Sequence, residues 1–290
     1  MIISVASGKG GTGKTTIAVN LALSIIQSHN HLITQSLVFL DCDVEEPNAH
    51  IFLKPKILKT YPAYIPIPKI DENKCNHCGK CQKVCVYHAI AVLKEQVLVF
   101  PELCHGCGGC SLLCPENAII EVNREIGIIE IGETNGIQFI HGKLNIGEAL
   151  APPLIKQVKE KLSTVNSELS TAIIDVSPGT SCPVVTAVKG SDFCILVTEP
   201  TPFGLNDLIL AVEMLRKMNV HFGVVINRSD IGDEKIYDYC KNENIPILMR
   251  IPFSKDIAIS YSKGIPIIEV LPKYKDEFVK LFNTLKEKYE

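Results

Sequence analysis

Tryptophan is absent, and aromatic residues make up only 6% of the chain. Such a sequence has little with which to stack bases, so a single-stranded nucleic-acid platform is not expected. Acidic residues slightly outnumber basic ones, and a formal net charge of −3 gives no pull toward nucleic acid or an anionic membrane surface. No apolar run reaches the roughly 18 residues that a membrane-spanning helix needs. The opening residues carry no charged stretch ahead of their apolar ones and do not read as a secretory signal. A cytoplasmic location is the expectation. The 290 residues, 46% of them hydrophobic, suffice for one large domain or two modest ones. Cysteine, by contrast, is plentiful, with twelve in the chain. In a cytoplasmic protein that number points to metal binding rather than to disulfides.

Hydrophobic patterning predicts an α/β fold. Residues 2–7 read as a buried strand, 14–27 as a helix and 37–41 as a second strand, which implies a parallel pair with a crossover helix. Four prolines (Pro55, Pro62, Pro66 and Pro68) then suit an edge strand or a linker. Residues 70–121 are rich in cysteine and poor in core, and 122–139 look like a small hairpin turning near Gly132 to Gly136. The α/β pattern resumes with helices over 153–165, 204–218, 234–243, 254–263 and 273–289. Strands are predicted over 171–176, 193–198, 222–227 and 246–251. Residues 1–68 and 122–290 thus form one discontinuous domain, interrupted by an insert over 69–121.

Residues Gly8-Lys9-Gly10-Gly11-Thr12-Gly13-Lys14-Thr15-Thr16 satisfy the phosphate-loop pattern between a strand and a helix. The glycines let the backbone curl so that successive N–H groups face the phosphates, and the following helix adds its positive end. Lys14 is expected to reach the β- and γ-phosphates, the Thr15 hydroxyl to ligate Mg²⁺, and Thr16 to touch the α-phosphate.

Cysteines 75, 78, 81 and 85 follow a C-x2-C-x2-C-x3-C spacing, and cysteines 104, 107, 110 and 114 repeat it, with Pro115 after the last. This is the bacterial two-cluster ferredoxin pattern, in which the fourth cysteine of each quartet crosses to the other cluster. Cys75, Cys78, Cys81 and Cys114 would hold one [4Fe-4S] cluster, and Cys104, Cys107, Cys110 and Cys85 the other. Zinc is the competing reading, but its sites typically use cysteine pairs set well apart. Val86 stands where the first quartet would usually carry proline. His77 and His105 read as solvated loop residues. Cys194 and Cys240 read as packing residues.

The string with a second lysine, Lys9, is the deviant Walker A form and resembles the MinD/ParA/Mrp and nitrogenase iron-protein class of P-loop ATPases. The likeness extends through Cys42-Asp43-Val44-Glu45-Glu46-Pro47-Asn48, Pro178-Gly179-Thr180-Ser181-Cys182-Pro183, Thr198-Glu199-Pro200-Thr201-Pro202-Phe203-Gly204 and Ile226-Asn227-Arg228-Ser229-Asp230. It implies an α/β fold with a mostly parallel sheet flanked by helices, carrying an inserted α+β ferredoxin-like domain. By the same resemblance, Lys9 crosses a dimer interface to the partner's nucleotide. Asp43 orients the attacking water, Asp41 lies beside the Mg²⁺ shell and Asp175 holds Mg²⁺. Gly179 lies in a turn that senses the γ-phosphate, Asn227-Arg228 reads the adenine, and Pro252 begins the loop that covers it.

The resemblance thus implies ATP or ADP, Mg²⁺ and two [4Fe-4S] clusters as cofactors. It also implies an ATP-dependent dimer, with itself or a paralogue, and a protein redox or cluster-accepting partner. The leading functional expectation is nucleotide-gated electron transfer. The alternatives are a cluster carrier of Mrp type, which needs a labile dimer-bridging site that only Cys182, seven residues after Asp175, offers, and a MinD-like positioning ATPase with redox-sensing clusters. The last would use the amphipathic 273–289 segment on a membrane, whereas such a segment more often packs as a terminal helix on its own sheet.

Overall fold

Strand β1 (Ile2–Ala6) is buried on both faces, with Ser4 its one polar residue, as a strand is when helices cover both sides of a parallel sheet. The computed structural model describes residues 1–28, 36–162 and 169–289. From β1 the chain passes through helix α1 (Lys14–Ser28) to β2 (Ser36–Cys42), and then through the short α2 (Ala49–Leu53) to β3 (Lys56–Ile70). The next segment holds α3 (Lys80–Val84), β4 (Ile90–Val92), β5 (Val97–Val99) and α4 (Gly109–Leu112). Strands β6 (Ile119–Thr134) and β7 (Ile137–Leu144) follow, then α5 (Ala151–Glu160), β8 (Leu169–Val176) and α6 (Cys182–Val188). The remainder is β9 (Phe193–Thr198), α7 (Pro202–Met218), β10 (His221–Asn227), α8 (Lys235–Asn242) and β11 (Ile247–Ile251). Helices α9 (Lys255–Ser262), α10 (Ile267–Val270) and α11 (Lys273–Tyr289) close the described chain.

The main sheet has nine strands in the order β11-β10-β9-β1-β8-β2-β7-β6-β3. From β11 to β7 all pairs are parallel, whereas β6 runs antiparallel to both β7 and β3. One core lies under α5, α6, α7 and α8, with Leu154, Val184, Leu208 and Ile236 fully or nearly fully buried. The other lies under α1, α10 and α11, with Leu21, Ile267 and Phe278. Helix α11 buries Tyr274, Phe278, Leu281, Phe282 and Leu285 there, so its apolar face is spent on the protein's own core. Among the described residues, no helix is long and apolar enough to cross a membrane.

The proline-rich stretch is the edge strand β3, where a missing N–H costs no ladder bond. The expected small hairpin differs: its first strand begins at Ile119, and both strands join the main sheet. Ile126, Ile129, Ile137, Phe139 and Ile140 are buried in the two cores, which fixes them there. The helix predicted over 153–165 starts at Ala151, and residues 163–165 lie outside the described residues. Strands β3 and β6 pair as far as Ile70 with Ile119, and the cysteine-bearing segment 71–118 is carried at that end.

Candidate functional site

The loop from Gly8 to Gly13 joins β1 to α1 at the carboxyl edge of the parallel strands, where this topology leaves room for a ligand. Gly8 packs against α7, and a Cβ there would lie 2.2 Å from the Asp207 carbonyl oxygen. Gly11 and Gly13 adopt left-handed φ values of 78° and 98°, whereas Gly10 faces open space. Thr12 is buried. Beyond the loop opens a cavity of about 410 Å³ whose lining includes Lys14, Thr15, Thr16, Asn227, Arg228 and Pro252. The Asn227 amide donates to the Thr12 carbonyl at 2.8 Å, so this residue braces the loop as well as facing the cavity. Phe253, Ile257 and Tyr261 also line the cavity, and no sequence motif had pointed to them.

Two acids lie behind Lys14. Asp41 and Asp175 occupy paired positions on β2 and β8, both fully buried. Burial lifts Asp41 well above the usual carboxylate range, and the neighbouring Asp175 adds to the effect. Burial likewise raises Asp175 to about 7, with the Lys14 charge opposing it. Neither Asp175 oxygen completes a hydrogen bond among the described residues, although the Thr15 hydroxyl and the Val176 N–H lie near enough to oppose its rise. An unpartnered buried carboxylate at this place fits a cation. Asp43 is half-buried, which raises its pKa, and Lys14 and Ser177 pull it back.

Asp41 also organises the backbone that follows it. Its carboxylate accepts backbone N–H bonds from Asp43, Asn48 and Ala49 at 3.1, 3.1 and 3.0 Å. It therefore shapes the Asp43–Asn48 turn and caps α2. Asp41→Ala leaves three donors unpaired and should cost about 3 kcal/mol. A fall in the urea midpoint at unchanged slope checks this.

Lys9 donates to Glu199 Oε1 at 2.6 Å, and Arg228 donates to Glu199 Oε2 at 2.9 Å. The second loop lysine is thus paired within its own chain. Glu199 was part of a family string but carried no expected role. Gly179, at φ 104°, donates its N–H to the Ser7 carbonyl at 2.9 Å, which joins the turn after β8 to the base of the phosphate loop.

All twelve cysteines are free. Cys75, Cys78, Cys81 and Cys114 line one cavity, and Cys85, Cys104, Cys107 and Cys110 line another. A local two-fold repeat builds both. Gly79 and Gly108 open α3 and α4 in the left-handed region, at φ 75° and 73°. His88 and Asn117 repeat it at φ 53° and 48°. The N–H of Ala89 donates to Cys85 Sγ and that of Ala118 to Cys114 Sγ, each at 3.3 Å.

Among the described residues, no three His, Cys, Asp or Glu side chains converge closely enough to hold a single ion. Four thiols line each of the two cavities, a donor set that fits an iron–sulfur cluster. Burial raises the Cys81 and Cys104 thiols and lifts Cys110 to about 11. His77 lies 3.4 Å from Glu72, and His105 stacks on Tyr87 at 3.5 Å.

Cys194 and Cys240 are buried and pushed up to about 12 and 11, as inert packing residues are. Burial also pushes Cys42 up. Cys182 is exposed at the start of α6.

A phosphate loop at the carboxyl edge of a parallel sheet, with buried acids on adjoining strands, defines a P-loop nucleotide-binding protein. Residues 3–267 match the CobQ/CobB/MinD/ParA nucleotide binding domain, and the chain belongs to that family of P-loop ATPases. An uncharacterized protein of Methanocaldococcus jannaschii is 34% identical, covering 99% of this chain and 97% of its own length. An iron-sulfur cluster carrier protein of Pyrococcus horikoshii is 26% identical over 98% of this chain and 86% of its own. The cell division ATPase MinD of Pyrococcus furiosus superposes with a TM-score of 0.59 at 21% identity, covering 99% and 98% of the two chains. At that identity the likeness speaks for the α/β fold.

Proposed function

We propose that this protein binds and hydrolyses ATP and uses nucleotide state to gate electron transfer through two [4Fe-4S] clusters to a protein partner. The reading divides the chain into a nucleotide domain, 1–68 with 122–290, and a ferredoxin-like insert, 69–121. The observation that carries it is the crossed sorting of eight cysteines around two cavities in a chain that also bears a phosphate loop. In this reading Lys14 contacts the β- and γ-phosphate oxygens, and Thr15 and Asp175 hold Mg²⁺. Asp43 orients the attacking water, while Asn227, Arg228 and Pro252 surround the base. Lys9 leaves Glu199 to reach the nucleotide of a second subunit. When bound, the two clusters would be held by Cys75, Cys78, Cys81 and Cys114 and by Cys85, Cys104, Cys107 and Cys110, and would supply one-electron redox chemistry.

An anaerobic redox titration with and without Mg-ATP tests this reading. A threefold or larger change in the reduced-to-oxidised ratio of a cluster at fixed potential is expected; a tenfold change would be about 59 mV. Identical titrations in both states would remove the gating. A second reading, a cluster carrier, draws on the exposed Cys182 and on the relatives named as carriers. It predicts transfer of iron to an apo-protein that stops on Cys182→Ala.

A further inference from the structure

The cavity beside the phosphate loop is lined by two kinds of residue. Lys14, Thr15 and Thr16 offer polar groups, whereas Ile257, Ala258 and Tyr261 offer an apolar wall. Phosphates belong with the first set and a nucleoside with the second. Ile257, Ala258 and Tyr261 share one face of α9, at the i, i+1 and i+4 spacing of a helix. Ser254 caps that helix by accepting the Ile257 N–H at 3.4 Å.

The far end of α9 meets α2. The Tyr261 ring lies 5.1 Å from that of Phe52, tilted by 40°. Gly264, two residues beyond α9, adopts φ 64° and packs tightly on the same helix. A Cβ there would lie 3.0 Å from Ile51 Cγ2 and 3.1 Å from the Ile51 carbonyl oxygen. Phe52 is buried in the core and does not line the cavity, whereas Tyr261 is half exposed and does.

Helix α2 has five residues and is tied to the turn before it. Ile51 donates to the Asn48 carbonyl at 3.1 Å, and the Asn48 and Ala49 N–H groups are held by Asp41. So short a helix cannot absorb a displacement of Phe52, which therefore passes to the Asp43–Asn48 turn. Asn48, at the end of that turn, lines the cavity too.

We propose that Tyr261 is a positioning residue that carries nucleoside occupancy of the cavity, through Phe52 and α2, to the Asp43–Asn48 turn. The proposal rests on the nucleotide half of the reading above and is independent of the clusters. A nucleoside against Ile257 and Ala258 holds α9, and with it the Tyr261 ring against Phe52. Phosphates alone leave that face of α9 uncovered and the turn less firmly held. Contact alone does not establish coupling, whereas exchange rates in the turn measure it directly.

Hydrogen exchange of the full chain, saturated with Mg-ADP or with Mg-pyrophosphate, separates nucleoside from phosphate. In the wild type, Mg-ADP should slow exchange over residues 43–53 at least threefold more than Mg-pyrophosphate does. Tyr261→Ala and Phe52→Leu should each erase that difference while both ligands still protect residues 8–16. Tyr261→Phe, which keeps the ring, should preserve it. Phe52→Leu should also leave Mg-ADP affinity within threefold of wild type, a separation that a mere wall of the cavity would not give. Equal protection by the two ligands in the wild type would overturn the proposal. So would a difference that survives Tyr261→Ala, or one that is lost in Tyr261→Phe. Should Phe52→Leu fold poorly, the two Tyr261 variants still decide. Wild-type protein in which Mg-ADP protects nothing over residues 8–16 would instead sink the nucleotide reading itself.

Discussion

Lys14→Ala is expected to lower Mg-ATP affinity by a hundredfold or more and to leave about eight iron atoms per chain in place. Lys14 is the first residue of α1 and only 7% exposed, so its charge is held at the cavity wall rather than left to wander in solvent. A charge-assisted hydrogen bond contributes about 1.5–3 kcal/mol, and two phosphate oxygens therefore account for roughly 3–6 kcal/mol. At about 1.4 kcal/mol per tenfold, that is a factor of about 10² to 10⁴. The loss has a second source: Lys14 opposes the burial of both Asp43 and Asp175. Without it, phosphate would meet acids with no cation between them.

The fold should survive the substitution. Asp175 already sits at about 7, and removing the cation drives it further toward its neutral form. The cysteine-bearing segment hangs from β3 and β6, away from α1. Isothermal titration with Mg-ATP and a colorimetric iron assay read the two halves separately. Unchanged affinity would remove Lys14 from the nucleotide site, and lost iron would mean that the two parts do not fold independently.

What the sequence made legible was local. The phosphate loop and both cysteine quartets are short strings whose chemistry depends on spacing within about ten residues. The strands of the parallel sheet were legible too, because burial on both faces writes a continuous apolar run. The long-range polar partnerships were not. Glu199 joins Lys9 and Arg228, and Glu148 meets Arg124, from positions whose neighbours say nothing of the pairing. The hairpin was misjudged in extent because its pattern mixes residues from two cores with an edge ladder. The capping role of Asp41 was not legible, because an acid ending a strand reads alike whether or not it also caps the next helix. Its three backbone donors show the cap.

Paired cysteine substitutions carry the largest spectroscopic effect. Cys114→Ala alone should reduce the intact reduced clusters counted by EPR from about two per chain to about one. So should Cys78→Ala, and so should Cys107→Ala. The informative variants combine them. With ligands crossed as the two cavities sort them, Cys114 and Cys78 serve the same cluster. The double variant Cys78→Ala/Cys114→Ala then keeps about one cluster, since its second substitution removes a ligand from a site already lost. Cys107 lines the other cavity. The double variant Cys107→Ala/Cys114→Ala therefore loses both clusters, although its two positions belong to the same sequence quartet. If each quartet instead served its own cluster, the two results would change places. Zinc at both sites would give no EPR signal in any variant and would sink both arrangements. The repeat of N–H donors onto Cys85 and Cys114 favours the crossed outcome, because each of these two sulfurs is aimed by the turn that carries it to the opposite loop.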